Sequence, residues 1–322
     1  MRALVWHGGS DLRVEDLAEP APVAGEAVLH IRRAGICGSD LHAYRGHPGP
    51  RRPPLVLGHE AVGTLDRRDG RFAVFPLSGC GVCPACRRGD ENLCDRRTLL
   101  GMNRQGVFAE RLAVAERDLV PLPDGLEDDA ACLIEPLATA LAAVRLEGVG
   151  DDTSVAVVGC GPIGLLTTYA CRVAGASVVA ADPVPERRAW AERLGATSTV
   201  ADPATLPAGV AHVAIDTVGA EATWRASLAA VRSGGSVAVV GLAQPEGSLP
   251  VGDLVRRGLR LRGVYAYRRE DFAQALRLLE AHPPPLGWVS VVDLDEAPMA
   301  FHQLATSPGG AVKVLIRTEG PA

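Results

Sequence analysis

No stretch of this chain approaches the ~18–20 consecutive apolar residues that a membrane span needs, so no membrane partner is expected. The first residues, Met1-Arg2-Ala3-Leu4-Val5-Trp6, read as a strand and lack the charged-then-apolar layout of a signal peptide. Excess positive charge is absent too. With 33 Lys and Arg against 38 Asp and Glu, the formal charge is -5, and the pI near 5.9 argues against a nucleic-acid partner. The arginine pairs Arg51-Arg52 and Arg96-Arg97 accordingly read as solvated loop charges. Repeats, low-complexity blocks and disordered tails are missing, because the 24 prolines and 36 glycines are spread along the chain. What remains is a globular chain of 322 residues, long enough for two domains with separate cores.

Cysteine is what the chain does have. Eight cysteines without an export signal imply a reducing compartment, the cytoplasm, where clustered thiols hold metal rather than form disulfides. Cys80, Cys83, Cys86 and Cys94 form C-x2-C-x2-C-x7-C inside Leu77–Leu100, a polar lobe without apolar periodicity. Such a lobe is folded by a metal rather than by a core, and four thiolates make a closed tetrahedral shell for a structural zinc. A nucleic-acid zinc ribbon normally pairs two distant knuckles on a basic surface, whereas these ligands lie within 15 positions. Cys132, Cys160 and Cys171 lie in apolar segments and read as small core residues.

Residues 1 to about 126 read as β-rich, with short apolar strands at Arg2–Val5, Glu26–Arg32 and Val107–Val114 between Gly, Pro and Asp turns. From Ala130 the texture changes to alternating strands and helices. Helices are expected at Ala130–Val144, Ile163–Ala174, Pro185–Leu194 and Glu221–Arg232. Strands are expected at Ser154–Val158, Ser177–Ala181, Val213–Asp216, Ser236–Val240 and Leu259–Tyr265. Fully apolar strands in such alternation imply a doubly wound parallel sheet of the Rossmann type, covered on both faces. A helix at Arg269–Ala281 and a strand at Val312–Ile316 return the chain to the first domain. The expected division is 1–136 with 267–322 for a catalytic, zinc-binding domain and 137–266 for a cofactor domain.

Gly159-Cys160-Gly161-Pro162-Ile163-Gly164 follows a strand and opens a helix, the context that makes G-x-G-x-x-G a dinucleotide fingerprint. The missing side chains let backbone approach a pyrophosphate at the helix N-terminus. Asp182 ends the next strand, where a carboxylate accepts from the adenosine ribose hydroxyls and repels a 2′-phosphate. That favours NAD, while Arg187 and Arg188, read as a solvent-facing helix side, lie near enough to leave NADP open.

Two further segments carry metal-competent groups: Cys37 in G-I-C-G-S-D-L-H and His59-Glu60 in L-G-H-E. With the four-cysteine lobe, I-E-P-L at Glu135 and the glycine fingerprint, they occur in the order found in the zinc-dependent medium-chain dehydrogenase/reductase family, which this chain resembles over essentially its whole length. The resemblance implies an α/β protein with a GroES-like catalytic domain and one catalytic plus one structural zinc. It also implies NAD, an alcohol or polyol substrate and a homo-oligomer, either dimer or tetramer. By the same resemblance Cys37 and His59 are catalytic zinc ligands, and Glu135 takes the third position, directly or through water. Glu60 matches a carboxylate that approaches the metal during ligand exchange, and Thr139 matches a residue that packs near the nicotinamide. Ser39 and His42 match a relay that carries the hydroxyl proton to solvent, while zinc acts as Lewis acid and hydride passes to the cofactor.

The chain departs from the family in two places. Between Gly63 and Val74 a catalytic-domain hairpin is shortened, and Ala266 stands where sorbitol-type members carry an arginine. Loss of that donor points away from a long polyol and toward a smaller, less hydroxylated alcohol. Tyr44 and Tyr267 read equally as pocket lining or as packing, and His47 as a loop residue. A zinc-free enone or quinone reductase of the same fold, and a non-catalytic nucleotide-binding protein, are the alternatives.

Overall fold

A computed structural model of the chain describes residues 1–47, 49–66, 68–307 and 311–319. Two compact units are present, Met1–Glu135 with Arg268–Ala322, and Pro136–Tyr267. Among the described residues no helix is long and apolar enough to cross a membrane.

In the first unit the strand Glu26–Gly35 is the organising element. Its inward residues Leu29, Ile31 and Ala34 are fully buried and share one core with Phe72, Val74, Phe108 and Leu112. It pairs antiparallel with Glu60–Leu65, Arg111–Ala115 and Lys313–Arg317. The last of these runs parallel to Val289–Asp293. The shortened hairpin joins Glu60–Leu65 to Arg68–Val74, with Leu65 directly opposite Arg68. Residues 107–110, expected to belong to the strand that continues through Arg111–Ala115, pair with the first strand through an isolated antiparallel bridge between Ala3 and Ala109. Gly106, Val107 and Phe108 donate backbone N–H groups to Val56, Gly58 and Leu57, and so brace the loop that carries His59.

The second unit is a six-stranded, all-parallel sheet. In space the strands run Ser198–Val200, Ser177–Ala181, Ser154–Val158, Ala211–Asp216, Val231–Val239 and Arg260–Gly263. The chain therefore winds outward one way from Ser154–Val158 and then the other, and ligands bind at the carboxyl ends where the direction switches. Val155, Ala156, Val157 and Val158 are at most 1% exposed, the continuous burial expected of a strand covered on both faces. Pro136 in its first turn is compatible with the helix Ile134–Leu146, which is preceded by a separate turn, Asp128–Ala131, rather than forming one helix from Ala130.

Candidate metal centres and nucleotide cradle

Cys37 is the N-cap of the short helix Gly38–Tyr44, with φ -102° and ψ 155°. Its backbone N–H donates to Asp40 Oδ2 at 3.1 Å, and Asp40 is completely buried. His59 sits on the loop before the strand Glu60–Leu65. Gly58 there has φ +89°, and a Cβ would strike the Phe108 ring at 2.5 Å, so only glycine lets the loop pass. Glu60 lies opposite Gly35 in the antiparallel ladder.

These elements bring Cys37, His59 and Glu60 together, with a ligand atom of each within 4.8 Å of the others. His59 and Glu60 are 4% and 1% exposed. His59 Nδ1 and Glu60 Oε1 are buried without a hydrogen-bond partner, a costly state unless something else satisfies them. Burial, then the charges of Glu60 and Asp40, pushes the Cys37 thiol up to about 11. A dication is the group that would turn this set favourable, by stabilising the thiolate and binding the unpartnered Glu60 oxygen and a ring nitrogen of His59. Sulfur, nitrogen and carboxylate are zinc's ligands, and three of them leave a position open. The residues fit the ion.

Glu135, the expected third ligand, begins the helix Ile134–Leu146 and is not a member of this group; Glu60 is. Gly35 has no side chain, and a Cβ there would lie 2.0 Å from Glu60 Oε2, so the carboxylate occupies that space.

Behind the donors lie charges that sequence reasoning missed. Asp40 Oδ1 is 3.9 Å from His59 Nδ1, close enough to orient the ring electrostatically. Arg51 is 3% exposed rather than a solvated loop charge. Its Nε donates to the Gly101 carbonyl at 2.8 Å, and Nη2 reaches Ser39 Oγ and Asp40 Oδ1, both at 3.4 Å. Lys313, 1% exposed, donates to Glu60. Its signal was a lone lysine in the apolar run Val312-Lys313-Val314-Leu315-Ile316. Arg51 had no signal of its own. His42, on the same helix as Ser39, is partly buried. Burial, followed by the cations Arg45 and Arg51 and by His47, lowers its pKa from the ordinary imidazole value. Tyr44 packs on Phe301 at 5.9 Å between ring centroids.

The four lobe cysteines form the second cluster, again within 4.8 Å of one another. Apart from a pair of two-residue strands, Leu77–Ser78 and Thr98–Leu99, short turns carry them. Cys80 N–H donates to Cys94 Sγ at 3.4 Å and Cys86 N–H to Cys83 Sγ at 3.5 Å. Backbone N–H groups of Val82 and Cys83, with Arg96, hold the Cys80 thiol down at about 5. Arg96 is exposed, as a solvated charge should be, while facing the Cys80 sulfur, and the half-buried Arg97 donates to the Cys94 carbonyl.

In the second unit, the strand Ser154–Val158 runs into Gly159, with φ +91°, and then into the helix Pro162–Val173. A Cβ on Gly164 would lie 1.8 Å from the Gly159 carbonyl oxygen, whereas one on Gly161 would meet nothing within 4 Å. Gly164 therefore serves strand–helix packing, and Gly161 leaves open space above the turn. Ile163 sits in the first turn of that helix. Asp182 is 4% exposed and braces the turn: Oδ2 accepts Cys160 N–H at 2.7 Å and Oδ1 accepts Val184 N–H at 2.9 Å. Arg188 donates to the Asp182 and Pro183 carbonyls, so it closes the strand end instead of facing solvent. Arg187 is half-buried beside it, and Thr139 half-buried on the helix Ile134–Leu146.

A parallel sheet with a glycine turn at its switch point and a β unit with two metal-competent clusters define a metal-dependent dinucleotide oxidoreductase. Residues 162–281 match the zinc-binding dehydrogenase family model, and residues 23–124 the alcohol dehydrogenase GroES-like domain. Among curated proteins, L-galactonate-5-dehydrogenase of Escherichia coli K12 is 33% identical, with 87% of each chain covered. The (R,R)-butanediol dehydrogenase of Bacillus subtilis is 30% identical over 98% of this chain and 99% of its own. Among solved structures, a zinc-binding dehydrogenase from Sinorhizobium meliloti bound to NADP superposes with TM-score 0.90 at 30% identity, covering 98% of both chains. The chain belongs to the zinc-dependent medium-chain dehydrogenase/reductase family, and it is a zinc-containing, NAD(P)-dependent oxidoreductase acting on hydroxyl groups.

Proposed function

We propose that the chain is a cytoplasmic dehydrogenase that oxidises a small secondary alcohol or short diol with NAD, with Cys37, His59 and Glu60 holding the catalytic zinc and Cys80, Cys83, Cys86 and Cys94 the structural one. The observation that carries this reading is the convergence of thiol, imidazole and carboxylate with a buried carboxylate oxygen, Glu60 Oε1, that lacks a partner. A zinc ion bound there supplies a Lewis acid that makes a hydroxyl proton easier to lose, and bound nicotinamide supplies the hydride acceptor. The chain's own residues do the rest. Cys37 binds as thiolate, His59 is oriented by Asp40, and Ser39 takes up the hydroxyl proton as it releases its own. His42, partly exposed and with a lowered pKa, passes the proton to solvent.

A small substrate is supported by Ala266 in place of an arginine donor and by the likeness to a butanediol dehydrogenase. NAD is supported by the negative charge of Asp182 at the strand end and by the commitment of Arg188 to carbonyl oxygens. Eight free cysteines, four in one lobe, support a reducing compartment. A homodimer is supported by the strand Arg260–Gly263, which is exposed along its length at the sheet edge. Val251, Val255, Leu242 and Leu261 nearby in sequence are exposed apolar residues, and an open edge of this kind invites strand addition. A screen of NAD and NADP reduction over butanediols, secondary alcohols, hexitols and aldonates tests the reading. Turnover restricted to hexitols or aldonates would reject the small-alcohol assignment.

A further inference from the structure

Glu60 is not held by the backbone ladder alone. Lys313 lies on a strand whose neighbours Val314, Leu315 and Ile316 are buried and apolar. Its ammonium donates to Glu60 Oε2 and, at 2.9 Å, to the carbonyl of Ile36, the residue before Cys37. The space is shaped for this pair, since a Cβ on Gly35 would lie 2.0 Å from Oε2 and 3.1 Å from the ammonium nitrogen. The other oxygen, Oε1, is buried with no hydrogen-bond partner. A buried ion pair adds little to stability, because desolvation of both charges offsets their attraction, and an apolar side chain would serve the core as well. Strand stability therefore does not account for a lysine at this position.

We propose that Lys313 is a positioning residue that ties up one oxygen of Glu60, so that the carboxylate meets the catalytic metal through a single oxygen and one coordination position stays open to substrate. This rests on the reading of Cys37, His59 and Glu60 as metal ligands. Carboxylates bind metals through one oxygen or two, and a catalytic zinc site works only while a position is free. With Oε2 held by an ammonium, the two-oxygen mode would require breaking a buried ion pair. Asp40 is matched in the same way by Arg51, so each buried carboxylate of the centre carries its own cation.

The test uses the zinc-loaded full chain, its cobalt-exchanged form and Lys313→Met, which removes the charge but keeps the bulk. Release of the catalytic zinc to dipicolinate should slow at least tenfold, and the cobalt d–d absorption should weaken as coordination rises. Turnover should fall at least tenfold with NADH affinity unchanged, and Lys313→Arg should restore the cobalt spectrum. If Lys313→Met does not melt as a folded protein, Lys313→Gln, which keeps a donor for the Ile36 carbonyl without the charge, carries the same comparison. Zinc release as fast as wild type or faster, with an unaltered cobalt spectrum, overturns this proposal alone. A wild-type chain whose only zinc is in the four-cysteine lobe overturns the metal reading and the proposal with it.

Discussion

Two glycines of one fingerprint should fail in different ways when each becomes alanine. Gly164→Ala forces a methyl to 1.8 Å from a backbone oxygen and 3.0 Å from Thr217 Oγ1, so helix Pro162–Val173 must shift off the strand. Overpacking of this sort costs about 1–3 kcal/mol. For a unit of this size that is roughly 2–12 °C in melting temperature. Gly161→Ala places its methyl in open space at φ -71°, an ordinary backbone conformation, so the melting temperature of the cofactor-free protein should not change. If the pyrophosphate lies over that turn, the methyl blocks its approach, and NADH affinity should fall at least tenfold, which is about 1.4 kcal/mol. Thermal melts of the cofactor-free variants and fluorescence titration with NADH separate the two effects. Wild-type NADH affinity in Gly161→Ala would refute the assignment of the cradle. An unshifted melt in Gly164→Ala would refute the packing argument.

Other outcomes follow from the first unit. His42→Ala should slow turnover about tenfold or more below neutral pH with zinc content intact, because a lowered pKa extends downward the pH range in which the wild-type ring can accept a proton; superimposable pH–rate profiles would remove His42 from the relay. Asp40→Asn leaves Arg51 without its buried partner and His59 without an orienting charge, so zinc affinity measured by chelator competition should drop roughly 10–100-fold. Burial raises the Asp128 pKa, but hydrogen bonds from Arg32 and Arg71 outweigh it and hold the group below the usual aspartate value. Its contribution is present above about pH 4 and is lost as pH falls through the folded-state pKa. Asp128→Asn should therefore cost about 1.5–3 kcal/mol at pH 7 and progressively less in acid, read from urea melts at both pH values.

The strongly patterned parts of the chain were legible from sequence. The apolar strands around Ser154–Val158, the glycine turn and the clustered cysteines each announce a local physical requirement, and the parallel sheet with its covered faces follows from their alternation. Elements without such a signature were not: the three-residue strand Ser198–Val200 and the helices Val251–Arg257 and Ala297–Thr306 are short, and Val289–Asp293 is only half-buried. In the metal centre the ligand types could be read, but not that the Glu60 carboxylate lies within reach of Cys37 and His59. That placement depends on Gly35 facing Glu60 across a ladder and on Lys313 arriving from the far end of the chain. Arg51 was misread because charge on a Pro-rich loop looks solvated until the loop folds back over Asp40 and Gly101.

The central claim is that Cys37, His59 and Glu60 bind one zinc, separately from the four-cysteine lobe. Elemental analysis of dialysed protein tests it most directly. The account predicts two zinc per subunit in the wild type and one in Cys37→Ala, with a thermal melt that stays cooperative because the lobe keeps its ion. One zinc in the wild type, or two in Cys37→Ala, would contradict it.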